Sequence, residues 1–165
     1  MPRVRILSLP GSRWEDFRRL RLLALKTDPA AFSSSLEEES GYGADVWKER
    51  MGNVLFAVQG GDPIGMVSVV FSERRRTRHV AFVHGFYVSR QFRRKGIGTM
   101  LMDAALSRVR KERRILKVEL SVNPTFRPAV AIYRKAGFKV TGRSERELKV
   151  GGKFHDLLNM EFHVR

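Results

Sequence analysis

The chain has 165 residues, 42% of them hydrophobic, carries a formal net charge of +15 at pH 7 and contains no cysteine. This length suits one globular domain with its own core, so we predict a single domain over residues 1–165. The composition excludes a disulfide framework and thiolate chemistry, no metal site is predicted, and no apolar run approaches the roughly 20 residues that span a bilayer.

The N-terminal half of the sequence predicts one strand, two helices and a hairpin. Ser12 followed by Glu15 matches a capping box, so the first helix is expected to begin there. Its core-facing side is predicted to consist of Phe17, Leu20, Leu23 and Ala24. The other predicted elements are a strand (4–9), a loop with one acidic turn (33–43), a helix (44–51), two strands (53–59 and 64–72) joined by a turn, and a charged loop (73–78).

The C-terminal half predicts a central strand followed by two helices and three further strands. The run 79–88 is apolar on both faces, as expected of a strand in the middle of a sheet. The helix after it has a core face formed by Ile97, Leu101, Ala104, Ala105 and Val109. A strand (115–122) follows, and then a helix (127–137) with Pro128 in its first turn and Gly137 as its C-terminal stop. Two strands (138–149 and 153–164) end the chain. The predicted fold class is therefore α/β of the α+β type, a mixed, largely antiparallel sheet of about seven strands with helices on both faces.

A basic turn with two glycines, Gly96 and Gly98, joins the central strand to the next helix. The first amides of a helix lack internal partners and lie at the positive end of its dipole, so such a turn can bind a phosphate. A Walker A loop, G-x4-G-K-[ST], is not present in the sequence. A G-x-G-x-x-G fingerprint that starts at Gly96 is also incomplete, because its sixth position is Leu101. The alternative is a tight turn on an ordinary basic surface.

Two motifs together favour the first interpretation. The segment Arg93-Arg94-Lys95-Gly96-Ile97-Gly98 resembles motif A of the GNAT N-acetyltransferase superfamily, [QR]-x-x-G-x-[GA]. About thirty residues later, 129–143 resembles motif B, A-x-x-[LI]-Y-x-x-x-G-F. The predicted order of elements is also similar to that of the family. The segment 28–39 resembles a bacterial subgroup whose substrate is mostly undefined.

This resemblance implies acetyl-CoA as cosubstrate, in a gap between the strands that end at Val88 and Val122. It places the pyrophosphate on the backbone amides of the turn, and the pantetheine arm along the main chain of Phe86, Tyr87 and Val88 like an added strand. Thr99 is expected to add a hydroxyl contact. Phe126 stands where the family often has an asparagine that positions the cofactor, and Asn123 is interpreted as a loop residue. The cofactor-binding residues implied in this way are Phe86, Tyr87, Val88, Arg93, Arg94, Lys95, Gly96, Ile97, Gly98, Thr99 and Phe126.

The implied reaction is acetyl transfer to a primary amine by direct attack in a ternary complex, with Tyr133 protonating the departing thiolate. The alternative role for Tyr133 is packing. An ammonium must lose a proton before it attacks, so a base is useful. Phe82 stands where some family members have a glutamate that acts as the base. The remaining candidates for the base are His84, which lies two residues later on the same face of the strand, Glu119, and a chain of waters.

The acceptor site is expected to lie over the first helices and their loop, with Phe32, Glu37 and Tyr42 as candidate contacts. The acidic run 37–39 is the only dense one in this basic protein, so it can attract a cationic amine, on a small molecule, a protein lysine or a protein N-terminus. The alternative is a solvated helix start that the helix dipole favours.

Two other functions compete with catalysis. The charge, concentrated in runs at 73–78 and 108–117, fits a nucleic-acid- or ribosome-associated binding module. Binding of acyl-CoA without turnover, as in a sensor, is the second alternative. A cytoplasmic location fits the absence of cysteine, and a homodimer formed through edge strands is a further possibility.

Overall fold

Seven strands and five helices form the protein in the computed structural model, which describes residues 2–165. The strands are β1 (Arg5–Leu7), β2 (Val54–Gln59), β3 (Asp62–Phe71), β4 (Val80–Val88), β5 (Lys117–Val122), β6 (Lys139–Val150) and β7 (Lys153–His163). The helices are α1 (Trp14–Thr27), α2 (Leu36–Ser40), α3 (Ala44–Met51), α4 (Ile97–Lys111) and α5 (Arg127–Ala136). In this part of the chain, no helix combines the length and apolar character needed to cross a membrane.

The strands form one sheet in the order β1-β2-β3-β4-β5-β7-β6. Every neighbouring pair is antiparallel except β4 and β5, which run parallel because α4 connects them. The predicted mixed, largely antiparallel sheet with a central 79–88 strand is confirmed. The edges are β1 and β6, and dimerisation through either of them stays a prediction.

The two parallel strands pair over only three residues each. Val80, Ala81 and Phe82 face Lys117, Val118 and Glu119 in register, and beyond these the strands have no paired residues. The space between 83–88 of β4 and 120–122 of β5 is called the slot below. It interrupts the sheet at the predicted position of the cofactor.

A β-bulge in β4 changes which way the side chains beside the slot point. The register with β3 shifts at this place, and Gly85 has φ +58°, a left-handed value that glycine adopts without strain. Before the bulge, the rings of Phe82 and His84 lie 6.1 Å apart on one face, as the alternation predicts. After it, Phe86 packs with the cluster around α4, whereas Tyr87 packs with the cluster around α1.

Helices cover both faces of the sheet, as predicted. On one face, α4 buries Ile97, Leu101, Ala105 and Val109 against the strands, together with Met102 and Leu106. Ala104, which was predicted on the same face, is only half-buried. On the other face, α1 and α3 bury Phe17, Leu20, Ala24 and Trp47. Gly137 ends α5 at φ +109°, which confirms its predicted role as the C-terminal stop. The slot lies between these two helical layers and connects them through the sheet.

Two predictions about α1 are wrong. Ser12 does not cap it, because residues 11–13 form a 3₁₀ turn and the helix starts at Trp14 without a side-chain cap. The capping box occurs instead at α2, where Ser35 and Glu38 bond to each other's backbone. Leu23 is 40% exposed. At about 100° per residue it lies well off the face defined by Phe17, Leu20 and Ala24, and Arg21 occupies that face.

Candidate active site

A cavity of about 750 Å³ passes through the slot from one face of the sheet to the other. On one side its wall is formed by the start of α4 and by Ala129, Ile132 and Tyr133 of α5. On the other side it reaches Asp28, Ala31 and Phe32, which follow α1. Residues 83–88 of β4 and residues 121–123 at the end of β5 line it in between. The geometry allows two ligands to approach each other from opposite faces of the sheet.

The start of α4 offers free amides to this cavity. Gly96 is its N-cap, with φ +79°, and has no side chain to cap the helix. The first helical bond shown at this end is donated by the amide of Met100 to the Gly96 carbonyl at 3.1 Å. Gly96, Ile97, Gly98 and Thr99 all line the cavity. A phosphate would find amides and the positive end of the helix dipole there, as the sequence predicts.

Gly98 marks a close approach of three elements. A Cβ built on it would lie 2.8 Å from Cδ1 of Ile132 and 3.2 Å from Cζ of Phe86. Any larger side chain must therefore displace α5 or β4 side chains before it reaches the cavity. The glycine keeps the helix start within reach of the cavity, which fits a diphosphate-bearing ligand.

The basic residues of the turn have different roles. Arg94 is exposed, lines the cavity and has φ +62°. Arg93 is already engaged, because its guanidinium donates to the Val88 carbonyl at 2.7 Å and to the Asp28 carboxylate. Arg90 binds the same carboxylate at 3.2 Å, so the two arginines tie the end of α1 to the turn. Lys95 lies over the Phe92 ring at 5.7 Å and is not among the residues that line the cavity.

Tyr133 is 6% exposed and lines the cavity from α5. Its ring lies 5.5 Å from that of Phe86 and 6.0 Å from that of Phe138, so the residue does pack the helix on the sheet. Its hydroxyl, however, has no hydrogen-bond partner within residues 2–165. Burial raises the pKa of the Tyr133 phenol well above its ordinary value of 10.0, so the phenol carries its proton at neutral pH.

His84 lines the same cavity on the α1 side of β4. The side chain is exposed to solvent, but it stands in a concave wall where neighbouring protein atoms surround it. Desolvation by these atoms, together with the positive charge of Arg21, holds the pKa of His84 below its ordinary value of 6.5. The imidazole is therefore neutral at pH 7 and able to accept a proton.

Glu119 is not brought to the cavity. It pairs with Lys117 of its own strand at 2.7 Å and is absent from the residues that line the slot. Phe126 lines the cavity just before α5, where it offers a ring in place of an amide side chain.

Sequence reasoning underrated Asn123, which is 2% exposed and lines the cavity. Its amide nitrogen donates to the Ala30 carbonyl at 3.0 Å and lies 3.2 Å from Nδ1 of His155. Its oxygen accepts from the amide of Thr125 at 3.0 Å. Asn123 therefore connects the end of β5 to the segment after α1. The signal for it in the sequence was a single polar residue directly after a buried strand.

The three candidate acceptor residues lie in different surroundings. Phe32 is buried, lines the cavity and lies 4.7 Å below the Arg21 guanidinium. Glu37 is exposed and Tyr42 is 38% exposed against Trp47, and neither lines the cavity. The capping box orients α2 so that a different glutamate, Glu39, points inward.

Glu39 is 1% exposed and is held by two arginines. Arg21 donates to both of its oxygens, at 2.7 to 3.1 Å, and Arg50 donates to Oε1 at 2.6 Å. Burial by itself raises the pKa of Glu39, but the hydrogen bonds and charges of Arg21 and Arg50 outweigh it and hold the pKa below 4.5. The acidic run therefore presents no free buried carboxylate to a cationic acceptor.

Part of the basic excess also has a structural use. Arg114 donates to the carbonyls of Ser72 and Arg78, and Arg108 donates to the Gly52 carbonyl at 2.6 Å. These two arginines of the 108–117 run brace loops at the far end of α4. The remainder of the run and the exposed arginines at 74–76 are the charges on which the nucleic-acid alternative rests.

The site therefore combines a cavity across the sheet, an uncapped helix start and a buried tyrosine, as the resemblance to the acetyltransferase family implies. The profile of the acetyltransferase (GNAT) family matches residues 14–138. The chain belongs to this family, which confirms the predicted family and the class of its cosubstrate, acetyl-CoA.

Relatives of known sequence or structure agree with this assignment. The chain is 27% identical over 120 residues to the L-amino acid N-acetyltransferase AaaT of Escherichia coli, a match that covers 70% of this chain and 74% of that protein. A GNAT-family acetyltransferase from Streptococcus pneumoniae superposes with a TM-score of 0.87 at 21% identity, over 98% of this chain and 100% of the other. The protein yncA of Salmonella typhimurium, whose structure contains its cofactor acetyl-CoA, gives a TM-score of 0.83 at 17% identity, over 99% of this chain and 95% of the other. These likenesses confirm the predicted fold.

Proposed function

We propose that this protein is an N-acetyltransferase that moves the acetyl group of acetyl-CoA to a primary amine by direct attack in a ternary complex. The observation that carries this proposal is the cavity through the slot, with the α4 amides on one face and His84 on the other. A cosubstrate and an acceptor can then meet inside the sheet without displacing each other.

The chain's own residues can hold acetyl-CoA in this cavity. The backbone amides at 96–99, with Arg94 beside them, suit the pyrophosphate. Because Gly98 has no side chain, nothing at this position covers the amides at the start of α4. The backbone of 86–88, which has no paired strand on the slot side, suits the amides of the pantetheine arm. Arg93 orients the end of β4 through its bond to the Val88 carbonyl and is not assigned to the phosphates.

Acetyl-CoA supplies a thioester, so the amine forms a C–N bond while the C–S bond breaks. The amine must lose two protons in all, one before the attack and one after it, and the departing sulfur can gain one. His84 is neutral at pH 7 and is placed to take a proton on the acceptor side. Tyr133 keeps its proton and is placed to give it on the cosubstrate side. A thiolate formed in the same desolvated cavity also has a raised pKa, which favours that transfer.

The acceptor class includes small molecules and protein lysines or N-termini. The curated relative from Escherichia coli acts on L-amino acids, which makes free L-amino acids the first acceptors to test. The readout is release of CoA that depends on the added amine. Binding of acetyl-CoA without any amine-dependent release would favour the sensor alternative.

Reversing the charge of Arg94 tests the cosubstrate site. We expect wild-type protein to bind acetyl-CoA with micromolar affinity, about −8 kcal/mol, and Arg94→Glu to weaken it at least about tenfold because a carboxylate would face the phosphates. Isothermal titration calorimetry at two salt concentrations measures both. Arg94 is a cleaner site for this change than Gly98, where any side chain would first meet Ile132 and Phe86.

The matched control for this test is Arg76→Glu, the same change of charge on an exposed residue outside the cavity. It should leave the affinity within about twofold, because exposed charges beyond a Debye length are screened. Equal weakening by both variants would mean that net charge alone attracts acetyl-CoA. No binding by the wild type would contradict the proposed site and leave nucleic acid as the next ligand to titrate.

Replacing His84 by glutamine tests the base. At neutral pH we expect kcat to fall by about 10²- to 10⁴-fold, because a water must then accept the proton without help. The wild-type profile should also lose activity as the pH falls below 6.5, where His84 becomes protonated, and this limb should disappear in the variant. Steady-state rates between pH 5 and 9 give both results. The control is His79→Gln, an exposed histidine at the far end of β4, and an unchanged profile in His84→Gln would point to a water relay.

A further inference from the structure

A small pocket of about 70 Å³ opens beside the main cavity on the α1 face of the sheet. The two share His84 and Gly85, so a group in this pocket is next to the slot. Its other walls include Phe17, Arg21, Arg50 and Ser68. The pocket is thus part of the acceptor side and is lined by two guanidinium groups.

The charge in this pocket is positive by one unit. Glu39 is the carboxylate bound by both arginines, and it is itself almost wholly buried beside them. Two guanidinium groups share that single carboxylate, and His84 is neutral at pH 7. A second anion would balance the remaining charge.

One nitrogen has no partner at this place. Arg21 is 8% exposed, and its Nε and Nη2 both donate to Glu39. Its Nη1 has no hydrogen-bond partner within residues 2–165, and it lies 3.4 Å from the point where a Cβ on Gly85 would be. Nη1 is not cut off from solvent, so water can accept from it in the free protein and a ligand carboxylate can take the place of that water. The absence of a side chain at Gly85 leaves this nitrogen accessible from the shared wall.

We propose that the acceptor of this enzyme carries a carboxylate, which Nη1 of Arg21 and the guanidinium of Arg50 bind in this pocket. This inference rests on the proposed function, because it names the substrate class of the same site. A planar guanidinium matches a carboxylate, and the excess positive charge repels an acceptor that is cationic throughout, such as a polyamine. The amine of the same molecule then points past Gly85 and His84 into the slot.

Binding of product-like probes tests this without turnover. N-acetyl-L-alanine and N-acetyl-L-alaninamide differ only in the carboxylate, and N-acetyl-L-aspartic acid α-amide carries one on its side chain instead. In the presence of CoA, calorimetry should show that wild-type protein binds at least one of the two acids at least about tenfold more tightly than the neutral amide. The acid that binds better tells whether an α-carboxylate or a side-chain carboxylate is recognised.

Variants locate the interaction. The double change Arg21→Gln with Glu39→Gln removes the Nη1 donor together with the buried partner of Arg21. It leaves the half-buried Arg50 without its carboxylate, so the net charge of the pocket is unchanged and the variant tests the Nη1 donor itself. Arg50→Gln leaves Glu39 bound to Arg21 and lowers the net charge to zero. Each should reduce the preference for the acid to less than about threefold, with the amide unaffected. Arg19→Gln, the same loss of charge on an exposed residue of α1, should keep the preference. Thermal unfolding shows which variants are folded, and the wild-type comparison and Arg50→Gln suffice if the double variant is not.

The outcomes separate this inference from the proposed function. Equal binding of acids and amide by the wild type, or a preference that survives in folded Arg50→Gln and in the folded double variant, would overturn the carboxylate site even if acetyl-CoA binds and amines are acetylated. If acids bind through Arg21 but acetyl-CoA does not bind, the proposed function fails and the anion site stands.

Discussion

Replacing Tyr133 by phenylalanine is expected to lower kcat by about 10²- to 10⁴-fold, the usual contribution of a positioned general acid. The change removes one oxygen, which makes no hydrogen bond to the part of the chain described, and leaves the ring contacts with Phe86 and Phe138 in place. The free energy of unfolding should therefore change by less than about 0.5 kcal/mol. Because the phenol is protonated through the neutral range, the loss should be the same at every pH between 6 and 9.

Two measurements separate catalysis from packing at this position. The affinity for acetyl-CoA, measured by calorimetry, should stay within about threefold, since the amides at the start of α4 are untouched. Pre-steady-state CoA release should slow by the same factor as kcat. A variant with normal kcat would show that Tyr133 only packs α5 on the sheet, and a variant with lost affinity would place its hydroxyl in binding.

Replacing Glu39 by alanine is expected to destabilise the protein by about 3–5 kcal/mol, because Arg21 is then left buried without its counterion. The matched control is Glu37→Ala, two residues away in the same short helix but exposed, which should change stability by less than about 0.5 kcal/mol. Urea unfolding at neutral pH measures both. An effect of Glu39→Ala below about 1 kcal/mol would mean that water or a rearranged Arg21 compensates the loss.

The same pair of proteins has a defined pH dependence. The pKa of Glu39 is lower in the folded protein than its ordinary value of 4.5, so the stability it contributes is fully present above that value. It is lost as the pH falls through the lower, folded-state pKa. The difference between wild type and Glu39→Ala should therefore be constant from pH 7 to 5 and shrink below about 4.5. A difference that grew on acidification would contradict this assignment.

Most of the fold follows from local signals in the sequence. The alternation of the 79–88 run, the helical spacing after Gly96 and the Pro128 and Gly137 signals at the ends of α5 predict elements that the structure contains. The motifs around Gly98 and Tyr133 predict the two walls of the cavity, which the structure brings together. These features are encoded within a few residues of each other, and a single sequence therefore reveals them.

Features that depend on distant contacts could not be predicted in this way. The acidic run 37–39 suggests an anionic surface for a cationic acceptor, but the partners of Glu39 are 18 and 11 residues away. Arg21 lies on the buried face of α1, and the carboxylate that makes this possible belongs to α2, so the spacing of apolar residues in α1 does not reveal it. Asn123 was interpreted as a loop residue because its partners, Ala30 and His155, belong to other parts of the chain.

The short pairing between β4 and β5 also affects folding cooperativity. The protein consists of a four-stranded part and a three-stranded part. Within the sheet, three residue pairs join them, and outside it they are joined by the packing of α4 and α5 and by the hydrogen bonds of Asn123 and Arg114. A molecule lying in the slot contacts both parts and binds only when they are correctly docked. At a concentration of 100 times its Kd, such a molecule adds about 2.7 kcal/mol to stability. The level of bound acetyl-CoA would then control how large a fraction of the molecules has its two parts docked.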